Sequence, residues 1–330
     1  MSYLKASFFE KMNYLGREKI PFIFIIDFEV ENPLIFLKKD LTNSKNILYN
    51  INGHTNQSHI SCNYKKDDFS LKKKPLSYAR FGQSFNEVKR EFINGNTYLL
   101  NLTFSTEVEF KNLEIDLIDV YNVSQAKYKL YFDDRFVVFS PEGFVTIRDG
   151  IISTFPMKGT IKAGLFAREK LINDEKELSE HTTVVDLLRN DIGIISKKVW
   201  VESFRYVEKI KTADGCLYAT SSKICGILCD NYRANLGEIF YNLLPAGSVS
   251  GAPKPKTLEI IRRVEKRPRG YYCGVFGFFD GENLESAVMI RYIEKNGGKY
   301  YYKSGVGLTI YSNPLKEYNE VKSKIYVPIY

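Results

Sequence analysis

Apolar and polar positions divide the chain into short, differently patterned segments. Residues 20 to 38 read as short strands, with Phe22, Phe24 and Ile26 on alternate positions before a turn at Asn32-Pro33. The polar, lysine-rich stretch 63 to 75 predicts a surface loop. Ser84 followed three residues later by Glu87 has the pattern of a capping box, and Phe85, Val88 and Phe92 recur at helical spacing until Gly95, which predicts a helix over about 85 to 94. Thr97 to Val108 then reads as a strand. Strands are expected at 136–140, 144–148 and 150–155, the last two joined by the hairpin signal Asp149-Gly150. From Asp174 the period changes to that of a helix, with Leu178, Thr182, Val185 and Leu188 as its stripe through to Arg189. Strands at 198–210, helices at 236–243 and 255–265, strands at 272–279, 284–294 and 299–304, and a helix at 314–325 complete the pattern. Hairpins mixed with isolated helices predict an α+β chain with antiparallel sheets, since a parallel sheet would alternate strand and helix regularly.

Composition narrows the class. Hydrophobic residues make up 44% and charged residues 26% of 330 residues, as in an ordinary globular protein, which excludes disordered and disulfide-scaffold readings. The length allows two or three domains or one intertwined unit. Lys and Arg exceed Asp and Glu by 47 to 39, a net charge of +8 that invites a basic nucleic-acid-binding protein as the alternative class. That class needs clustered basic and aromatic side chains, and the one dense basic patch is Lys72 to Lys74. Met1 to Met12 lacks a signal-peptide core, and Pro21 to Ile26 is far short of the ~20 apolar residues that cross a bilayer, so a cytoplasmic protein with no membrane partner is expected. The five cysteines are unclustered, which suits reduced thiols. Cys225 with Cys229, and His54 with His59 and Cys62, lack the second ligand pair of a zinc site.

Several residues could carry chemistry. Glu177 with Glu180, and Glu317 with Glu320, are spaced three apart on expected helices, so each pair shares one face. Such carboxylates suit Mg²⁺, or they are simply solvated helix faces. Lys158 follows an expected strand between Pro156 and Gly159 and could be an amine nucleophile or a turn lysine. Glu142 could be a general acid if its pKa were raised. Gly247 to Lys254 looks like a phosphate loop but lacks the Gly-Lys-Ser/Thr ending and carries Pro253 and Pro255. Arg291 stands in an apolar strand pattern and calls for an anionic partner.

Together these stretches resemble the chorismate-utilising enzymes, and within them the aminodeoxychorismate synthase component I branch. The resemblance is carried by Ile93-Asn-Gly-Asn-Thr-Tyr-Leu-Leu-Asn-Leu-Thr103, Ser140-Pro-Glu142, Pro156-Met-Lys-Gly-Thr160, Glu180-His-Thr-Thr-Val-Val-Asp-Leu-Leu-Arg-Asn-Asp191, Pro245-Ala-Gly-Ser-Val-Ser-Gly-Ala-Pro-Lys254, Arg269-Gly-Tyr-Tyr-Cys-Gly274, Val288-Met-Ile-Arg291 and Lys316-Glu-Tyr-Asn-Glu320. It implies a large sandwich of two antiparallel sheets with outer helices, residues 1–80 being a divergent part integrated into the fold and 81–330 the chorismate-binding catalytic domain. It also implies that Glu180 and Glu320, assisted by Glu177 and Glu317, hold Mg²⁺ against the ring carboxylate of chorismate, supported by Lys324. Tyr272 and Arg291 would hold the enolpyruvyl carboxylate. Thr160, Thr220, Ser221, Gly305, Val306 and Gly307 would complete the substrate pocket.

Lys158 selects the branch. In the family pattern a lysine here marks the aminodeoxychorismate enzymes, with the amine attacking C2 and Glu142 protonating the departing C4 hydroxyl, while anthranilate synthases, which aminate C2 directly, typically carry alanine. The water-using isochorismate and salicylate enzymes have a lysine where this chain has Leu99. The pattern departs from the family near Leu217 or Tyr218, where a ring-pocket histidine is replaced, and at Asn313, where Asp is common. With only three histidines, His181 among them on the magnesium helix, no glutaminase is expected within the chain. A separate glutaminase partner would supply ammonia, and a separate lyase would convert the product to p-aminobenzoate for folate.

Overall fold

The computed structural model describes residues 3–57, 64–212 and 215–329. Among these residues the chain forms two antiparallel sheets of nine strands each, flanked by helices. The first sheet runs in the order Met157–Lys162, Gly215–Ile227, Ile151–Thr154, Gly143–Arg148, Leu284–Val288, Val275–Phe279, Phe22–Ile26 and Leu34–Leu37, with Lys198–Thr212 paired to Gly215–Ile227. The second runs Gly251–Ala252, Leu99–Phe110, Lys299–Leu308, Tyr292–Asn296, Phe136–Ser140, Tyr128–Phe132, Ile47–Ile51 and His54–Thr55, with Leu71–Lys74 on Leu99–Phe110. The α+β sandwich implied by the pattern is the fold.

Phe22–Ile26 shows why an alternating reading was too weak: all five residues are buried. On one face, Ile23 stands opposite Phe278, whose ring stacks on Tyr49 of the second sheet at 6.3 Å. On the other, Phe24 meets Phe240 of helix Leu236–Leu243 at 4.7 Å. A strand covered on both faces is apolar throughout. Gly277 makes room for this packing, because a Cβ there would lie 2.5 Å from the Phe24 ring.

Other elements differ from expectation for equally physical reasons. The helix expected from Ser84 begins at Tyr78, capped by the Ser77 hydroxyl, which accepts the Arg80 N–H; Ser84 is interior to it. Part of the expected lysine-rich loop is the edge strand Leu71–Lys74, whose Lys74 pairs with Glu107 at 2.8 Å and Glu109 at 2.6 Å. Charge pairing, not an apolar stripe, marks that edge. Tyr3–Arg17 is a helix that the pattern did not reveal. Helix Glu175–Ile195, capped by Asp174, buries His181, Val184, Val185, Leu188 and Ile192, while Leu178 and Thr182 face outward. The expected strand 284–294 is two strands in different sheets, Leu284–Val288 and Tyr292–Asn296, and Arg291 sits at the crossover with φ of 53°.

Cys216, Cys225, Cys229 and Cys273 are free thiols. His59 and Cys62 lie outside the described residues. Among the described residues no helix is long and apolar enough to cross a membrane.

Candidate active site

A cavity of about 1270 Å³ draws its walls from both sheets and from helices Glu175–Ile195 and Pro314–Ser323. Lys158 enters from strand Met157–Lys162. Its backbone carbonyl accepts the Thr220 hydroxyl, and its amine extends toward the second sheet, where a Cβ built on Gly307 would stand 3.6 Å from Nζ. The next residue, Gly159, has φ of 68°, and a Cβ there would lie 2.7 Å from Glu177 Oε2. Glycine at 159 therefore lets the helix carboxylate close on the lysine strand.

Glu142 lies across the cavity wall and accepts a hydrogen bond from Ser248 Oγ at 2.6 Å. Burial pushes its carboxyl up from the ordinary range, against the opposing pull of Ser248, Lys158, Lys324 and Arg291. A carboxyl whose pKa burial raises, set among cations, has the character of a proton donor. The Gly247 to Lys254 run that resembled a phosphate loop instead forms a short 3-10 turn, Gly247–Val249, and the strand Gly251–Ala252 on Leu99–Phe110. Lys254 pairs with Asp191 at 3.0 Å, and Gly247 leaves space for that aspartate, which a Cβ would approach to 2.7 Å.

Cationic groups stand at separate places around the space. Lys324 Nζ contacts Glu320 Oε1 at 2.7 Å and donates to the Gly305 carbonyl at 2.8 Å. That carbonyl is available because the strand Tyr292–Asn296 ends its pairing at Lys303, leaving Ser304 to Leu308 laddered only to Leu99–Phe110. Arg291 lines the cavity, and no described carboxylate lies within ion-pair distance of it. Tyr272 beside it is 3% exposed, and burial raises its phenol well above the ordinary value.

Glu177, Glu180, Glu317 and Glu320 line the same cavity. Burial raises Glu177, reinforced by repulsion from Glu180 and Asp174; burial likewise raises Glu317, reinforced by Glu320. Among the described residues no three His, Cys, Asp or Glu side chains close on one point as a dedicated metal cage. Mg²⁺ uses one or two protein carboxylates and fills its other positions with water or substrate oxygen, so these four glutamates, of which Glu180 is offset by Lys176 at 3.5 Å and Glu320 by Lys324, fit it as a donor set.

The remaining expected residues are placed unevenly. Ser221 lines the cavity, but its hydroxyl donates to Glu208 Oε2 at 2.8 Å. Thr160 is at the exposed rim. Thr220 is fully buried and spends its hydroxyl on Lys158, outside the cavity lining. Val306 points into the core because side chains alternate along the strand, whereas Gly305 and Gly307 face the cavity. His181 is buried with Nε2 2.6 Å from Ser222 Oγ, and burial, Arg205 and Lys158 lower its pKa to about 4. It is a core residue, neutral at pH 7. Asn313 caps helix Pro314–Ser323 through its side-chain oxygen, a role Asn fills as well as Asp. Ser248 and Glu208 were missed by sequence reasoning: Ser248 was hidden in a run judged by its glycines, and Glu208 in a polar strand with no spacing signal.

A cavity walled by four glutamates, with Lys158 and Arg291 elsewhere on its lining free of carboxylate partners among the described residues, suits a small anionic molecule. Two lysines of the dense basic patch are paired with carboxylates, Lys72 with Glu109 at 3.6 Å and Lys74 with Glu107 and Glu109. The chain belongs to the chorismate-binding enzymes, whose family model matches residues 22–329. It is 45% identical over 325 residues to an uncharacterized PabA-like protein of Haemophilus influenzae, covering 98% of this chain and 96% of that one. It is also 31% identical over 268 residues to aminodeoxychorismate synthase component 1 of Bacillus subtilis, covering 76% of this chain and 55% of the relative. Against anthranilate synthase component 1 of Acetivibrio thermocellus, identity is 33% over 281 residues, with 81% and 55% covered. The chain thus spans about half the length of these two synthases. Among solved structures, anthranilate synthase component I from Streptococcus pneumoniae superposes with a TM-score of 0.67 at 27% identity, covering 80% of this chain and 61% of that one.

Proposed function

We propose that this protein is an aminodeoxychorismate synthase component I, aminating chorismate at C4 to 4-amino-4-deoxychorismate with ammonia from a separate glutaminase. The observation that carries the reading is the Lys158 amine over Gly307, in a cavity that also holds Glu142 with its raised pKa. Residues 1–80 serve as an integrated part of this unit and 81–330 as its catalytic part, in the cytoplasm. A separate lyase would take the product on to p-aminobenzoate for folate synthesis.

In this mechanism Arg291 and Tyr272 bind the enolpyruvyl carboxylate and Lys324 supports the ring carboxylate, fixing a dianion by both ends. Glu180 and Glu320, with Glu177 and Glu317, would hold Mg²⁺. When bound, it supplies positive charge to the ring carboxylate and favours loss of the hydroxyl. The Lys158 amine attacks C2, both conjugated ring double bonds shift one bond along toward C4, and the C4–O bond breaks as Glu142 gives its proton so that water leaves. Ammonia then forms the C4–N bond, the double bonds return, and the C2–N bond breaks to release Lys158. Leu99, apolar and at the cavity wall, offers no base to activate water, which favours amination over hydration.

The test is the product. Purified protein given chorismate, Mg²⁺ and ammonium should form a species of aminodeoxychorismate mass that a lyase converts to p-aminobenzoate. Anthranilate appearing instead would place the chain with the C2-aminating enzymes.

A further inference from the structure

Arg291 is aimed by an unusual backbone. It sits where the chain passes from one sheet to the other, with φ of 53°, and its carbonyl accepts the Phe139 N–H at 3.0 Å. The side chain that this crossover directs into the cavity has no carboxylate partner among the described residues. A free arginine side chain loses rotamer entropy when a ligand fixes it, so a device that holds it beforehand improves binding.

The structure provides such a device from an element no sequence motif marked. Tyr326 lies two residues beyond Lys324, and its ring centroid is 5.3 Å from the Arg291 guanidinium carbon. The segment carrying it is anchored without Arg291: Ile325 is fully buried, Tyr302 Oη donates to the Tyr326 carbonyl at 3.1 Å, and the Pro328 carbonyl accepts the Gln125 N–H at 2.8 Å. The backbone behind the tyrosine is therefore fixed without Arg291, and its ring, 44% exposed, stands beside the guanidinium while its hydroxyl accepts a hydrogen bond from it, leaving the other donors for the cavity. Besides Tyr326, the groups that face Arg291 are Tyr272, Tyr302 and Glu142. Burial works against the Arg291 charge, and Tyr302 and Tyr326 more than offset it.

We propose that Tyr326 is a positioning residue that holds Arg291 for a substrate carboxylate and couples it to the helix bearing Glu317, Glu320 and Lys324. The identity of that carboxylate rests on the chorismate reading of the cavity. The experiment compares full-length wild type with Tyr326→Phe and Tyr326→Leu, alone and combined with Arg291→Ala. Tyr326→Phe keeps the π face but removes the hydroxyl that accepts from Arg291, and should raise KM for chorismate by no more than about threefold. Tyr326→Leu should raise KM about tenfold with little change in kcat, and should add nothing in the Arg291→Ala background. A tenfold effect persisting in that background, or an unchanged KM, would overturn the proposal. Should Tyr326→Leu fail to fold, Tyr326→Met takes its place. The Nε–H resonance of Arg291 in the ligand-free protein gives a second readout, sharp in wild type and Tyr326→Phe and broadened in Tyr326→Leu. If wild type binds no chorismate, the substrate reading fails, while this resonance still decides whether Tyr326 orders the guanidinium.

Discussion

Ser248 Oγ donates to Glu142 Oε1 at 2.6 Å, so the carboxyl proposed to act as proton donor is held by a hydroxyl 106 residues away in sequence. That bond favours the ionised form and opposes the burial that raises the pKa. Ser248→Ala removes it, so the Glu142 pKa rises further. A general acid loses activity as pH rises through its pKa, so the alkaline limb of kcat should move about one unit upward. A pH–rate profile of the variant checks both sign and size.

Lys158 and Gly307 form the second tested pair. Lys158→Ala should keep chorismate binding by calorimetry and lose C4 amination by at least about a thousandfold. Gly307 has ordinary backbone angles and faces Lys158 Nζ across the site, so Gly307→Val adds bulk at the amine without straining the strand. Its thermal midpoint should stay within a few degrees while turnover drops about a hundredfold.

Arg269 and Glu265 are both almost fully buried and joined through Nε at 3.0 Å and Nη2 at 2.7 Å, while Arg269 also donates to the carbonyls of Val249 at 2.7 Å and Asn101 at 2.6 Å. This guanidinium braces the turn that presents Ser248. Arg269→Met leaves buried Glu265 without its guanidinium partner and takes one donor each from the Val249 and Asn101 carbonyls, and should destabilise the protein by about 3–5 kcal/mol in urea unfolding. Adding Glu265→Leu should recover much of that loss.

His181 makes stability acid-sensitive. Its pKa is about 4 when folded, below the 6.5 of a free histidine, so its contribution is complete above pH 6.5 and declines as pH falls toward 4. Between pH 7 and pH 5 this amounts to about 2 kcal/mol. Glu177 and Glu317, raised in the fold, act oppositely by gaining stability as they protonate. Urea titrations of wild type and His181→Asn at both pH values isolate the histidine, and the variant should lack the 2 kcal/mol decline.

Protons and Mg²⁺ compete for those same raised carboxylates. With chorismate present, Mg²⁺ should raise the melting temperature by a few degrees at pH 8, less at pH 5.5. Glu180→Gln with Glu320→Gln should abolish the shift.

Local chemistry determined much of this protein from sequence alone. The α+β class, most element positions, the Asp174 cap and the paired glutamates follow from periods and caps that a few adjacent residues set, and the ordered motifs brought the family into view. Elements held by partners distant in sequence escaped the pattern. Leu71–Lys74 is a strand because Glu107 and Glu109 lie beside it, and of the expected stripe on helix Glu175–Ile195 Val185 and Leu188 are buried while Leu178 and Thr182 face outward, their place on the packed face taken by His181 and Val184. The same distinction runs through the site. Residue type nominated Lys158, Glu142 and Arg291, but sheet register turned Val306 into the core, Thr220 toward a backbone carbonyl and Ser248 onto Glu142. The tertiary structure decided these because a side chain's role depends on the direction it points and the group it meets, and both are set by segments distant in sequence, 62 residues apart for Thr220 and Lys158 and 106 for Ser248 and Glu142.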